Sequence, residues 1–384
     1  MDNKFDKFLK LYDYSLPSEL IAKKPADPRD SAKLLVYKRK TKEVFFDKFA
    51  NLGKYLPSRA VLVLNDTKVL PARLVVKKET LRQGSGQAGG GLARILYIGA
   101  PSFAKATAGK EGGLLEFLSD RDLNIGSKIT VNSKIFFIVK EKVDGHYFLK
   151  PSFSVNKTFE VLERYGFTPI PPYIKNSPLS EKQLRKEYQT IFAAKKGSVA
   201  APTASLHFTK RLLDKIRKSG RQIVFVTLHV NLGTFAPLSE ENLKKSKLHT
   251  EYYEISKKSA EILNKAKKSG HSIIAVGTTA VRALESSVYN SLGSNIRTKR
   301  KFASGGVELD LKKMKGETSV FIKEGYKFKF VDGLITNFHV PRSSLLMLVS
   351  AFAGRKNIMD TYKRAINKKF RFFSFGDGMM IINE

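Results

Sequence analysis

The chain of 384 residues contains no cysteine. That excludes a disulfide framework, a thiolate metal centre and a cysteine nucleophile, and nothing in the composition requires an oxidising compartment. Long apolar runs are missing too: the best, Leu345 to Ala353, falls far short of the ~20 residues that span a bilayer. The start, MDNKFDKFLKLYDY, alternates charges with aromatics and has no apolar core of signal-peptide length. The expectation from these absences is a cytoplasmic protein without a membrane segment. There is no HExxH and no His/Cys cluster of ligand spacing, so no metal is expected. Acidic residues are scarce, with 35 Asp and Glu against 69 Lys and Arg, leaving a net charge of +34. A field of that sign draws polyanions, and nucleic acid is the first candidate partner. A lysine-rich compositional bias would give the same count without any partner, because much of the excess is scattered through stretches such as KKSAEILNKAKKSG.

What is present builds folded domains. Apolar residues make up 42% of the chain, and its length has room for two to three domains at roughly 100–200 residues each. Between Lys77 and Gly113 the composition turns foreign, with QGSGQAGGGLA and AKATAGKEGG reading as flexible loops around ARILYIGA. The AGKE within it is no phosphate loop: Ala104 stands where the first glycine belongs, and Glu111 replaces the magnesium-binding hydroxyl. Then come GGLLEFLSD, SKITVNSKIFFIVKEKV and HYFLKPSF, β-branched and aromatic runs, the last two joined by the hairpin signal Asp144-Gly145. Residues 73–153 therefore read as a small all-β domain interrupting a major α/β domain formed by residues 1–72 and 154–384.

In that major domain the grammar is helix, glycine, strand. FTKRLLDKIRKSG stops at Gly220 before QIVFVTLHV, and SAEILNKAKKSG stops at Gly270 before HSIIAVGTT. A third strand in KFVDGLITNF leads to a helix in SSLLMLVSAFAG with Ser343 as its cap. This alternation implies a mostly parallel sheet, open or closed. Polar residues fall where such strands end: His229 after the first, Thr278 and Thr279 after the second, Asn337 and His339 after the third. Ligands of α/β proteins gather beyond strand carboxyl ends. The stretch GSVAAPTASLHFT adds small residues, which let backbone approach a ligand, and delivers His207. A tight Pro202 turn with His207 packed beneath it is the structural alternative.

These residues resemble one family, the S-adenosylmethionine:tRNA ribosyltransferase-isomerases of queuosine biosynthesis. The likeness runs through YDYSLPSELIAKKPADPRDSAKLLVY, VLNDTKVLPARL, YGFTPIPPYI, YQTIFAAKKGSVAAPTASLHF, VTLHVNLGTFAPL, IAVGTTAVRALES, VDGLITNFHVPRSSLLMLVSAFAG and FRFFSFGDGMMII, in the family's order. Departures are local: Ser205 and Asn231 stand where glycine is expected and Ala280 where serine is common. The resemblance implies a distorted α/β barrel-like major domain carrying a small inserted β-barrel domain. It also implies a reaction in which S-adenosylmethionine, a co-substrate rather than a cofactor, gives up its ribosyl unit. The acceptor is 7-aminomethyl-7-deazaguanine at the tRNA wobble position, and epoxyqueuosine forms as adenine and methionine leave. Partners so implied are tRNAs with a G-type wobble position, with no obligate protein partner and a monomeric state.

That chemistry needs a base with a pKa near neutrality for the proton beside the sulfonium, for which histidine suits, a proton or hydrogen bond for departing adenine, and groups for the methionine carboxylate. His207, His229, His339, Asp66 and Asp377 are the catalytic candidates. Ser198, Ala201, Pro202, Thr203, Thr278, Thr279, Arg282, Asp332, Asn337 and Arg342 are the substrate-binding ones. Simpler readings stand beside them, a turn at Asp332-Gly333 and a helical ion pair between Arg282 and Glu285. Two other function classes stay open. A tRNA methyltransferase would share the co-substrate and the basic surface, yet no glycine-rich loop closes a first strand as in doubly wound nucleotide folds. A non-catalytic RNA-binding protein would account for the charge but not for polar residues grouped at strand ends.

Overall fold

The structure is a computed structural model that describes residues 4–78, 91–99, 113–231, 238–291, 310–311 and 314–383. It divides into two compact units, one of residues 1–68 and 171–384 and one of residues 69–170. In chain order the strands begin with β1 (Lys33–Lys38), β2 (Val44–Lys48), β3 (Ala60–Asn65) and β4 (Thr67–Val69). The smaller unit contributes β5 (Arg73–Lys78), β6 (Leu92–Gly99), β7 (Leu115–Ser119), β8 (Lys128–Thr130), β9 (Phe136–Val143) and β10 (His146–Pro151). The larger unit resumes with β11 (Lys195–Ser198), β12 (Gln222–Leu228), β13 (Lys247–Glu254), β14 (Ser272–Val276), β15 (Lys315–Val320), β16 (Gly333–Asn337) and β17 (Gly378–Ile382).

The small unit closes on itself as an antiparallel barrel in the order β10-β7-β6-β5-β8-β9. Alternation makes its core: Leu74, Val76, Ile95, Phe117, Val139 and Leu149 point inward while their neighbours face out. Asp144 and Gly145 both take positive φ, 49° and 80°, as a two-residue turn between β9 and β10 demands. The Gly-rich loops expected between Lys77 and Gly113 fall largely outside the described residues. This unit runs past the expected boundary at 153 because the chain returns to β5. Arg73 and Phe167 exchange backbone hydrogen bonds at 3.2 and 2.7 Å, and Gly166 lies so close to the Pro71 carbonyl that a Cβ would meet it at 1.7 Å.

The large unit is built on a nine-stranded sheet in the order β15-β13-β12-β3-β14-β16-β17-β1-β2. The α/β class agrees with the sequence, but a mostly parallel sheet does not. β12, β3, β14 and β16 run parallel, whereas β13, β15 and β2 pair antiparallel and β17 runs against β16. β3 is central and wholly buried, and its alternate residues serve two cores. Leu62 and Leu64 pack with Leu212, Leu213 and Ile216 of the helix Lys210–Lys218. Val61 and Val63 face the core that holds Leu263 of the helix Lys257–Lys268 and Leu284 of the helix Thr278–Ser291. Burial on both faces explains why these strands read as continuous apolar runs. The helix Ser344–Ala353 starts where expected, with the Ser343 hydroxyl accepting from the Leu346 N–H at 3.2 Å. Among the described residues no helix is long and apolar enough to cross a membrane.

Candidate active site

The segments that follow β14 and β16 meet the Ala201–Ala204 stretch around a cavity of 410 Å³, within the usual range for a small-molecule site. Gly277 ends β14 with φ of +87°, a conformation that favours glycine, and donates its N–H to the Ile335 carbonyl at 2.7 Å. That turn starts the helix Thr278–Ser291 directly at the cavity. β16 delivers Thr336, Asn337, Phe338 and His339, and Arg342 follows at φ of +57°. Tyr173, Phe373 and Ser374 complete the wall from two other segments.

Asn337 organises this cavity. It is buried, its Oδ1 accepts from the Thr203 hydroxyl at 3.0 Å, and its Nδ2 contacts His207 Nε2 at 3.4 Å and the Phe373 carbonyl at 3.2 Å. His339 lines the cavity with its backbone held at both ends: its N–H donates to the Tyr362 hydroxyl at 2.9 Å and its carbonyl accepts from the Tyr14 hydroxyl. Its Nε2 pairs with the Thr336 hydroxyl at 3.2 Å, but its Nδ1 has no partner. Burial pushes its pKa down to about 3, so the ring is neutral and only weakly basic. Opposite chemistry comes from Tyr173, whose hydroxyl pairs with Ser374 at 2.7 Å and whose pKa burial raises to about 12.

Of the sequence candidates, Ala201, Pro202, Thr203, Thr278, Thr279, Asn337, His339 and Arg342 line this cavity. The others do not. His207 is packed beneath it, against the Phe49 ring at 4.6 Å, and burial with Arg371 and Arg29 nearby lowers its pKa to about 3. The structural alternative of a Pro202 turn over a packed His207 therefore describes the geometry, and His207 reaches the cavity only through Asn337. His229 sits half-buried in a separate polar cluster at the ends of β3 and β12. Its Nδ1 pairs with Thr67 at 2.8 Å, its ring stacks on Tyr252, and Gly197 lies so close that a Cβ would touch the imidazole at 2.9 Å. Asp66 belongs to that cluster, accepting from the Thr227 hydroxyl at 2.6 Å, and burial raises its pKa. Ser198 is buried beside it, accepting from the Val230 N–H at 2.8 Å.

Three charged candidates are bound elsewhere. Asp377 is fully engaged by the Arg371 guanidinium at 3.0 Å and by the N–H groups of Lys33 and Arg371. Arg282 pairs with Glu251 of β13 rather than with Glu285, because it projects one turn into its helix toward that strand. Asp332 precedes β16, so it stands at the amino end of the sheet, paired with Lys267 at 2.6 Å beside a separate cavity of 250 Å³. Sequence reasoning missed Tyr173, Phe373, Ser374, Thr336 and Gly277. The motifs YGFTPIPPYI and FRFFSFGDGMMII carried the first three, but nothing local says that they converge. Among the described residues there is no group of three or more His, Asp and Glu that could hold a metal ion.

An α/β sheet with an inserted antiparallel barrel and a hydroxyl-ringed, largely apolar cavity at strand carboxyl ends defines a small-molecule-using α/β enzyme. The family model described as "Queuosine biosynthesis protein" matches residues 9–381, and the chain belongs to this family. It is 44% identical over 376 residues to a protein of Halothermothrix orenii, covering 97% of this chain and 98% of that one. It is 42% identical over 372 residues to a protein of Thermoanaerobacter sp. (strain X514), covering 96% and 98%. Both relatives are named S-adenosylmethionine:tRNA ribosyltransferase-isomerase. A crystal structure of the S-adenosylmethionine tRNA ribosyltransferase from Thermotoga maritima matches at 29% identity and a TM-score of 0.49, covering 97% of this chain and all of that one.

Proposed function

We propose that this chain is an S-adenosylmethionine:tRNA ribosyltransferase-isomerase. It moves and isomerises the ribosyl unit onto 7-aminomethyl-7-deazaguanine at the tRNA wobble position, releasing adenine and methionine. The observation that carries the reading is family membership over residues 9–381 on a chain whose cavity contains a neutral histidine with a free ring nitrogen. S-adenosylmethionine is the co-substrate and occupies the cavity, and no other cofactor takes part. His339 is the base for the proton beside the sulfonium, on the ground that it lines the cavity with an unpartnered Nδ1 and that the described lining residues include no carboxylate. The rings of Tyr173, Phe338 and Phe373 suit a sulfonium, for the described lining residues include no carboxylate. The hydroxyl pair of Tyr173 and Ser374 is placed to hydrogen-bond leaving adenine. Asn337 fixes Thr203, and His207 holds Asn337. The enzyme is a cytoplasmic monomer acting on tRNAs with a G-type wobble position, drawn to them by its +34 charge.

The test uses S-adenosylmethionine labelled in the ribose or in the methyl group, with tRNA carrying the deazaguanine acceptor. Ribose label appears in the tRNA and methyl label does not; methyl transfer would make the chain a methyltransferase, and no transfer a binding protein. With about five phosphates neutralised, tRNA affinity falls by about two to three orders of magnitude between 50 and 200 mM salt. A flat response would assign the charge to compositional bias.

A further inference from the structure

We propose that the amino end of the helix Thr278–Ser291, with the Thr279 hydroxyl, holds the carboxylate of the co-substrate's amino-acid arm and so makes that carboxylate a specificity determinant. The inference rests on the reading of the cavity as the S-adenosylmethionine site. The helix is 14 residues long, and its cap position is Gly277, which has no side chain to satisfy the first turn. The first backbone bond of the helix runs from the Val281 N–H to the Gly277 carbonyl at 3.3 Å. By helix geometry the N–H groups of Thr278, Thr279 and Ala280 then have no intrahelical acceptor. These donors lie at the positive end of the helix dipole, and Gly277, Thr278 and Thr279 all line the cavity.

Thr279 supplies an independent observation. It is 8% exposed and its Oγ1 has no hydrogen-bond partner. That oxygen lies 3.5 Å from where a Cβ on Gly277 would stand, over the turn from which the helix starts. A buried hydroxyl without a partner is costly unless a ligand completes it.

Competing receptors are accounted for. Arg342 is the one Lys or Arg among the described lining residues, and it is ion-paired with Asp13, its Nε donating at 2.7 Å. Arg282 pairs with Glu251 through Nη1 and leaves its buried Nε and Nη2 without partners, but it borders a different cavity of about 10 Å³, room for a single water and not for a carboxylate. An anionic oxygen entering the main cavity therefore meets the helix end as a donor group shared with no carboxylate. A phosphate of tRNA has the same chemistry, but the apolar wall of Pro172, Phe338, Val340 and Leu345 suits a small organic ligand better than a solvated phosphodiester.

The test measures binding of S-adenosylmethionine and of its decarboxylated analogue in the absence of tRNA. The wild-type protein prefers the carboxylated ligand by at least about a hundredfold, because the analogue leaves buried donors unpaired. Thr279→Val weakens S-adenosylmethionine by about tenfold, the loss of one hydrogen bond to a charged group, and leaves the analogue unchanged. Thr279→Ser restores the preference. Equal wild-type affinity for the two ligands overturns the proposal, and so does a Thr279→Val variant that weakens both alike. A variant that binds S-adenosylmethionine normally but loses tRNA would reassign the site to phosphate, which also overturns it. If Thr279→Val does not fold, the wild-type comparison decides alone. If wild-type protein binds neither ligand, the cavity assignment under the proposed function fails instead.

Discussion

The two ends of β14 and β16 carry opposite kinds of polarity. At the amino ends, Asp332 and Lys267 are charged, and the carboxylate also accepts from the Ile273 N–H at 2.9 Å. At the carboxyl ends, Thr279 and His339 are uncharged or held neutral, and each keeps an atom without a partner. A satisfied ion pair stabilises; a buried neutral group with an empty valence is available to a ligand. The same strands thus present a structural rim and a chemical rim, and the distinction is one of hydrogen-bond completion rather than of residue type.

The largest expected effect breaks the chemical rim. His339→Asn removes the proposed base, and turnover falls by about 10² to 10⁴ while the melting temperature and co-substrate affinity stay close to wild type. If turnover survives, the base lies in the cluster of His229 and Asp66. His207→Ala sharpens the contrast between the histidines. It leaves Asn337 short of a partner and Phe49 short of a neighbour, so it costs about 1–3 kcal/mol of stability, measured by denaturant unfolding. Turnover at a permissive temperature falls by less than in His339→Asn, and an equal fall would make His207 part of the chemistry.

Acid adds a third comparison. His207 and His339 have folded pKa values lowered to about 3, against ~6.5 in an unfolded chain. Between those values the unfolded state binds more protons, so stability present at neutral pH is lost as pH falls from about 6.5 toward 3. Thermal melts across that range should show the loss, with a smaller slope in His339→Asn; an unchanged slope would mean that His339 is not buried as described. The smallest effect falls on the structural rim. Asp332→Asn weakens a partly exposed pair, costs about 1 kcal/mol or less, and leaves ribosyl transfer unchanged. A loss of transfer there would end the division between the rims.

Local rules made much of the fold legible. The Ser343 cap, the stops at Gly220 and Gly270 and the turn at Asp144-Gly145 each follow from backbone preferences acting within a few residues. The antiparallel pairings of the sheet were not legible, since β15 pairs with β13 and β17 with β16 across intervening helices. The site divided in the same way. That Asn337, His339 and Thr279 would share a cavity wall was legible because strand ends and helix starts predict where side chains go. Asp332 lies away from the cavity because it precedes β16, and nothing in Asp-Gly alone says at which end of a strand it stands. The packing of His207 was not legible because it depends on Phe49, contributed by a segment more than a hundred residues earlier.

β17 lies between β16 and β1, so an interior strand of the central sheet pairs Gly378 with Leu34 across a long separation in sequence. A nascent polypeptide leaving the ribosome can close its barrel early, since those strands pair within residues 73–151. Its sheet has to wait. Until Gly378–Ile382 emerge, β1 and β16 each present an unpaired edge of the kind that other chains can capture, so the sheet closes long after its first strand is made.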